Sequence, residues 1–186
     1  MIEVEVKLAI GSAEPEVRRL EQLGGIMVHG RSLEDNILLD LAGDVLRARG
    51  AMLRIRKYGE GATLTYKEPA PGPSGFKVRQ ELEAALQDPD LIVRILESAG
   101  FRRVWRYMKY RTVFRVGGLT ADLDETPIGN FVELEGARES IDVLALRLGR
   151  TPAEYIGLSY RALQEQWCRK RGLAAGDMIF EQGLKS

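Results

Sequence analysis

The chain opens on a strict alternation, Ile2-Glu3-Val4-Glu5-Val6-Lys7-Leu8, with apolar residues at every second position and charged residues between them. A β-strand sends successive side chains to opposite faces, so this segment predicts a strand with one apolar face and one face of carboxylates and a lysine. The period recurs in Leu53-Arg54-Ile55-Arg56, Leu64-Thr65-Tyr66-Lys67, Val78-Arg79-Gln80-Glu81-Leu82-Glu83, Lys109-Tyr110-Arg111, Ala121-Asp122-Leu123-Asp124 and Val132-Glu133-Leu134-Glu135. Paired into one sheet, these strands would set rows of carboxylates and rows of cations on a common face.

Other segments change the period. Ser12 precedes acids and then Val17, Leu20 and Leu23 at helical spacing, until Gly24-Gly25 stops them. Residues 26–40 read as one or two strands, and 42–50 as a loop with a short turn. Strands over 52–57 and 62–68 join through Tyr58-Gly59-Glu60-Gly61, a good hairpin connection. The run Pro69-Ala70-Pro71-Gly72-Pro73-Ser74-Gly75 is the most loop-like stretch and a conceivable lid. A strand over 76–85 gives way at Asp88-Pro89-Asp90 to a helix with Leu91, Ile92, Ile95 and Leu96 on one side. One long strand or a pair is expected over 101–116, then strands over 119–125 and 131–135. The last third turns helical, with Ile141 to Leu148 before Gly149 and a second helix over 153–170. Mainly antiparallel strands decorated by helices make this an α+β chain.

Composition narrows the chemistry. With 186 residues the chain suits one domain, 1–186, with a helical C-terminal part from about 138. Lys plus Arg and Asp plus Glu are balanced at 27 each, so no net field draws the whole molecule onto nucleic acid or an anionic membrane. Cys168 and His29 are the sole residues of their kinds, which removes an internal disulfide and a Cys/His zinc site. Any metal must be held by oxygen. No stretch is apolar for long enough to span a bilayer and the N-terminus lacks a signal-peptide pattern, so a cytoplasmic protein is expected.

For any single strand the charged row can simply face water. The set is harder to explain that way, because acids pair at spacing two in Glu3/Glu5, Glu81/Glu83, Asp122/Asp124 and Glu133/Glu135, and bases in Arg54/Arg56 and Lys109/Arg111. Like charges side by side on a strand repel unless something bridges them. Mg²⁺ or Mn²⁺ takes carboxylate oxygen and leaves positions for phosphate oxygens, while Arg and Lys grip the phosphates directly. A closed antiparallel barrel would bring these rows together, with its apolar faces outward beneath the helices. Plainer roles suit the remaining conspicuous residues: His29 at a strand end, Cys168 at a core boundary, Trp105 and Tyr107 packed on a helix, and Arg169-Lys170-Arg171 at a solvated helix end.

Glu3-Val4-Glu5-Val6-Lys7 resembles the ExExK signature of the CYTH superfamily, the triphosphate tunnel metalloenzymes that include class IV adenylyl cyclases, thiamine triphosphatases and inorganic triphosphatases. The later charged strands follow in the family's order, through Gly129-Asn130-Phe131-Val132-Glu133-Leu134-Glu135, and Ser159-Tyr160 also looks familial. The resemblance implies a closed eight-stranded antiparallel β-barrel whose interior is a charged tunnel open at both ends, with flanking helices. It implies Glu3, Glu5, Asp122, Asp124, Glu133 and Glu135 on the side of a Mg²⁺ or Mn²⁺ cofactor. Lys7, Arg54, Arg56, Lys67, Arg79, Lys109 and Arg111 would hold a triphosphate, and Lys7, Glu5, Glu81 and Asp124 would carry the chemistry. Glu81 is the better tunnel candidate of its pair, and Glu83 could be structural. Some phosphohydrolases of the family carry a second-strand tyrosine beside the first-strand lysine, which Glu34-Asp35-Asn36-Ile37-Leu38-Leu39-Asp40 lacks.

The expected function is a divalent-metal-dependent phosphohydrolase acting on inorganic triphosphate, a nucleoside triphosphate or thiamine triphosphate. A class IV adenylyl cyclase and a polyphosphate- or nucleotide-binding module without turnover are the alternatives. The expected partner is the small-molecule triphosphate, with no nucleic acid and no membrane, and a homodimer is left open.

Overall fold

A computed structural model describes residues 2–72 and 75–181. Its strands are β1 (Ile2–Ile10), β2 (Ile26–Leu41), β3 (Met52–Tyr58), β4 (Gly61–Pro69), β5 (Lys77–Ala85), β6 (Phe101–Val116), β7 (Leu119–Thr126) and β8 (Gly129–Glu135). The helices are α1 (Ala13–Gln22), α2 (Val45–Ala48), α3 (Pro89–Ser98), α4 (Arg138–Arg147) and α5 (Tyr160–Lys170). The strands close in the order β1-β5-β4-β3-β2-β6-β7-β8, every pairing antiparallel. Closure rests on β1, whose residues 2–5 pair with β5 and whose residues 5–10 pair with β8.

Register turns the sequence alternation into two surfaces. Glu5 lies opposite Glu135 and Lys7 opposite Glu133, while Val6 between them faces Leu134. Around the wall Arg54 meets Thr65, Lys67 meets Glu81, Arg111 meets Asp124 and Asp122 meets Glu133. Directly opposed residues share a face, so charged positions stay inside all the way round. The outward positions Val6, Leu8, Phe114, Ala121, Leu123, Val132 and Leu134 form the main core with Leu20 of α1 and with Ile141, Leu144 and Ala145 of α4. Val93 of α3 seals a second cluster over Leu39 and Ile55. Helices thus cover the apolar side of the barrel, as the alternation requires.

Local signals behave as their chemistry dictates. Gly24, at φ 82°, ends α1, and the Gly25 amide returns to the Leu20 carbonyl at 2.8 Å. Asp88 caps α3 by accepting from the Leu91 amide at 2.8 Å, with Pro89 in the first turn. The expected strand or strands over 26–40 are one strand with register shifts near His29 and after Leu38, and 101–116 is likewise a single strand. The Asp40 carboxylate accepts from the amides of Leu41, Leu46 and Arg47, which pins the short helix α2 inside the expected loop.

One expectation needs correcting. The helix read over 153–170 begins only at Tyr160, after a short 3₁₀ turn at Pro152–Glu154. Ile156 instead exchanges both backbone hydrogen bonds with Lys7, at 2.9 and 3.2 Å. Pairing of β1 with β5 stops at Glu5, so the next inward-facing residue needs another backbone partner, and the extended segment before α5 supplies it. Pro73 and Ser74 of the expected lid lie outside the described residues.

Candidate functional site: a charged cavity through the barrel

The barrel encloses a cavity of about 1120 Å³. Of the residues expected in the site, Glu3, Glu5, Lys7, Arg54, Arg56, Lys67, Arg79, Glu81, Lys109, Arg111, Asp122, Glu133 and Glu135 line it. Glu83 lines it too, accepting from Thr65 at 2.8 Å and from Arg56 at 3.0 Å. Asp124 is placed differently. It has the inward parity of Asp122 but is fully buried, and its oxygens accept from Lys109 at 2.8 Å, Arg111 at 2.6 and 2.7 Å and the Tyr160 hydroxyl at 2.7 Å. With both oxygens occupied by donors, Asp124 anchors cations rather than presenting a free ligand to the cavity.

Most carboxylates are bonded to the cations beside them. Lys7 sits between Glu133 at 2.7 Å and Glu5 at 3.1 Å. Lys67 pairs with Glu3 at 2.6 Å and Glu81 at 3.2 Å, Arg111 with Asp122 at 2.6 Å, and Arg111 also with Glu133. Burial alone would raise Glu5, Glu34 and Glu133, because a charged carboxylate loses its water. Lys7 and Lys77 outweigh burial and hold Glu5 well below the usual range. Lys109 and Arg111, aided by Arg54 and Arg56, bring Glu34 down to about 2, and Lys7, Lys109 and Arg111 hold Glu133 low.

Asp122 and Glu135 go the other way. Burial, reinforced by Asp124 and Glu133 against the pull of Arg111, lifts Asp122 to about 6. Burial and then Glu3 lift Glu135 to about 7. Among the described residues no group of three or more His, Cys, Asp or Glu side chains converges closely enough to hold a metal ion. Of the expected set, Glu3, Glu5, Asp122, Asp124 and Glu133 are each paired with lysine or arginine, and Glu135, among the described residues, is not.

Several site residues escaped the sequence reading. Glu34 is wholly buried near Lys109, Arg111 and Arg56 at 3.5 to 3.9 Å, and Asn36 donates to it at 3.0 Å. Their spacing of two was visible, but the apolar run Ile37-Leu38-Leu39 and the shift after Leu38 mask the alternation. Lys77 shares the parity of Arg79 and Glu81 and bonds Glu5; it lay inside the strand read over 76–85, one step before the charged alternation that starts at Val78. Tyr160, singled out with Ser159 in the resemblance but given no role there, reaches the cavity from a helix, where no strand parity could reveal it. No tyrosine comes from β2 to Lys7, as expected, but the Tyr160 ring lies 5.1 Å from the Lys7 ammonium. Burial, then Asp124 and Glu133, keep its hydroxyl protonated.

The plainer roles hold where contacts are visible. Trp105 stacks on Tyr107 at 4.7 Å and donates to Gln164 of α5 at 3.1 Å, while Tyr107 accepts from Arg54 at 3.2 Å. His29 sits near the strand's outer end, 2.9 Å from the Tyr58 hydroxyl. Cys168 is buried. No described helix is long and apolar enough to cross a membrane.

Known proteins share this architecture. A Methanocaldococcus jannaschii protein provisionally named an adenylate cyclase is 29% identical over 143 residues, 76% of this chain and 81% of its own. A Vibrio parahaemolyticus structure, also provisionally named an adenylate cyclase, superposes with a TM-score of 0.76 at 20% identity, covering 88% of this chain and 97% of its own. A Hippeastrum protein, provisionally named an adenylyl cyclase and described as revealing a dominant triphosphatase activity, gives a TM-score of 0.62 at 20% identity, with 93% and 97% covered. The sequence profile of the CYTH domain matches residues 1–145, and the chain belongs to that family.

Proposed function

We propose that the protein is a divalent-metal-dependent phosphohydrolase acting on a triphosphate. One observation carries this reading: unsatisfied donor and acceptor atoms share a single cavity. Arg54 Nε and Asp122 Oδ1 belong to residues that line the cavity and are buried without hydrogen-bond partners, and Glu34 Oε2, 3.7 Å from Nε of the cavity-lining Arg111, lacks one as well. Such atoms are costly to leave unmade, and a polyanion with a bound cation supplies what each lacks. The substrate candidates are inorganic triphosphate, a nucleoside triphosphate and thiamine triphosphate.

The oxygen-only donor set fits a hard cation such as Mg²⁺ or Mn²⁺. Asp122 and Glu135, the least neutralised carboxylates, would hold it with Glu3 and Glu133 nearby, and Glu5 stands opposite Glu135 across the β1–β8 pairing. Bound there, the ion would neutralise phosphate charge and acidify a water. Lys7, Lys109, Arg54, Arg56 and Arg111 grip the phosphates and counter charge developing on the transferring group, while Lys67 and Arg79 extend the grip along β4 and β5. Glu81 and Glu5 orient Lys67 and Lys7, and Asp124 fixes Lys109 and Arg111. Phosphoryl transfer depends chiefly on positioning and charge neutralisation, for which these residues suffice.

A class IV adenylyl cyclase is the second reading, favoured by the name of the Methanocaldococcus relative. There the ribose hydroxyl attacks the α-phosphate and pyrophosphate leaves. A binding module without turnover would have less use for so many carboxylates. The test incubates the protein with a panel of triphosphates plus Mg²⁺ or Mn²⁺ and scores orthophosphate, pyrophosphate and cyclic AMP separately. Orthophosphate release supports the hydrolase. Cyclic AMP with stoichiometric pyrophosphate replaces it with the cyclase, and binding without product leaves only the module.

A further inference from the structure

Residue 160 lies beyond the segment that matches the CYTH profile, yet its side chain is buried and lines the cavity. The Tyr160 ring centroid is 5.1 Å from the Lys7 ammonium and 4.9 Å from the Lys109 ammonium, and its hydroxyl donates to Asp124 at 2.7 Å. Phe131 meets the ring edge-on at 5.6 Å. The Ser159 hydroxyl oxygen caps α5, and Ile156 is hydrogen-bonded to the Lys7 backbone, so the segment carrying the ring is tied to the strand carrying the lysine.

The same two lysines also share a carboxylate. One Glu133 oxygen is 2.7 Å from Lys7 and the other 3.9 Å from Lys109. These two partners differ in what they do when a phosphate arrives. A carboxylate competes with phosphate for the ammonium protons and can be drawn toward a cation. An aromatic face attracts an ammonium through its quadrupole, carries no net charge and takes none of its protons, so it leaves the lysine free to donate. Two like charges on long flexible stems otherwise spread apart and lose order.

We infer that Tyr160 is a positioning residue: its ring keeps Lys7 and Lys109 together as a pair facing one phosphate group after their carboxylate partners turn away. The inference rests on the phosphate-cage reading and adds to it a residue from outside the matched segment. Removing the ring should loosen both lysines, whereas removing only the hydroxyl should leave them paired.

The experiment titrates tripolyphosphate into the full chain by calorimetry, without metal and with Mg²⁺, for the wild type, Tyr160→Phe and Tyr160→Leu. Side-chain ammonium resonances of Lys7 and Lys109 are recorded in parallel. Tyr160→Leu should weaken binding about 10-fold, from the loss of two cation–π contacts. Tyr160→Phe should stay within about 3-fold of the wild type, since the ring remains. The two ammonium resonances should be shifted upfield by the ring in the wild type and Tyr160→Phe, and not in Tyr160→Leu. Wild-type binding with equal affinity in Tyr160→Leu overturns this inference alone, and absence of wild-type binding overturns the cage reading and this inference with it. Should Tyr160→Leu fail to fold, the decision falls to the other two proteins. Unshifted ammonium resonances in the wild type, or a loss of 10-fold or more in Tyr160→Phe, would then reject the role of the ring.

Discussion

Glu133 and Glu135 stand two residues apart on one strand and line the same cavity, yet they are in opposite electrical states. Burial penalises charge at both. Lys7, Lys109 and Arg111 reverse that penalty at Glu133, whereas at Glu135 the carboxylates Glu3, Asp122 and Glu5 add to it, with Lys67 acting against them. Burial acts in the same direction at both, so the difference between them is set by their neighbours. The Glu133 group is already neutralised from within, and under the proposed function its cations would turn to the phosphates. The Glu135 group lacks positive charge and is the natural place for a cation from outside.

Phosphate contact on the Glu133 side supplies the largest expected effect. Lys7→Ala should lower kcat/KM for the triphosphate that is turned over by about 10²-fold or more, because it removes a buried cation facing the transferring group. Steady-state rates over a range of substrate concentrations measure this, and a loss below threefold would remove Lys7 from the cage.

Stability should separate the two glutamates by sign. Glu133→Gln leaves Lys7 and Arg111 short of a buried partner and should cost about 3 kcal/mol. Glu135→Gln removes a poorly compensated charge and should raise metal-free stability at pH 8. Urea denaturation of both variants tests the contrast; destabilisation of both to the same extent would erase the distinction.

Titration gives a further reading of the same difference. Asp122 and Glu135 have folded-state values of about 6 and about 7, above the unfolded values near about 4. The folded protein thus binds more protons than the unfolded chain between those limits. This contribution is full below about pH 4, is lost as pH rises through the folded values, and levels off above about pH 7. Metal-free melting temperature should fall over that window, and less steeply in Glu135→Gln. Equal slopes for the variant and the wild type would show that Glu135 is not the titrating group.

The smallest effect is expected across the barrel wall. Lys57 has the outward parity of Ile55 and pairs with exposed Asp90 on α3 at 2.8 Å. Lys57→Ala should leave kcat/KM unchanged and shift stability by less than about 1 kcal/mol. A rate loss comparable to that of Lys7→Ala would mean that the inner and outer faces have been exchanged.

Strand parity made the greater part of the site legible, because a charged residue at every second position has one face to occupy. That argument reached the residues on β1, β3, β4, β5, β7 and β8 and the Lys109/Arg111 pair of β6. It lost Glu34 where a register shift and an apolar run interrupt the alternation of β2. It could not reach Tyr160, whose approach depends on where α5 docks. The over-long C-terminal helix has the same origin: helical spacing across 153–159 was overridden when the Lys7 backbone recruited Ile156.

The sequence by itself determined which side chains face inward, that helices must cover the outward apolar rows, and that the interior would be charged. It determined these because side-chain direction along a strand is a local property of the backbone. Only the tertiary structure decided which charges meet. Asp122 and Asp124 share a strand and a parity, yet Asp124 is saturated by Lys109, Arg111 and Tyr160, whereas one oxygen of Asp122 has no donor. Ionisation depends on the distance to groups brought from other strands and from α5, and closure of the barrel sets those distances.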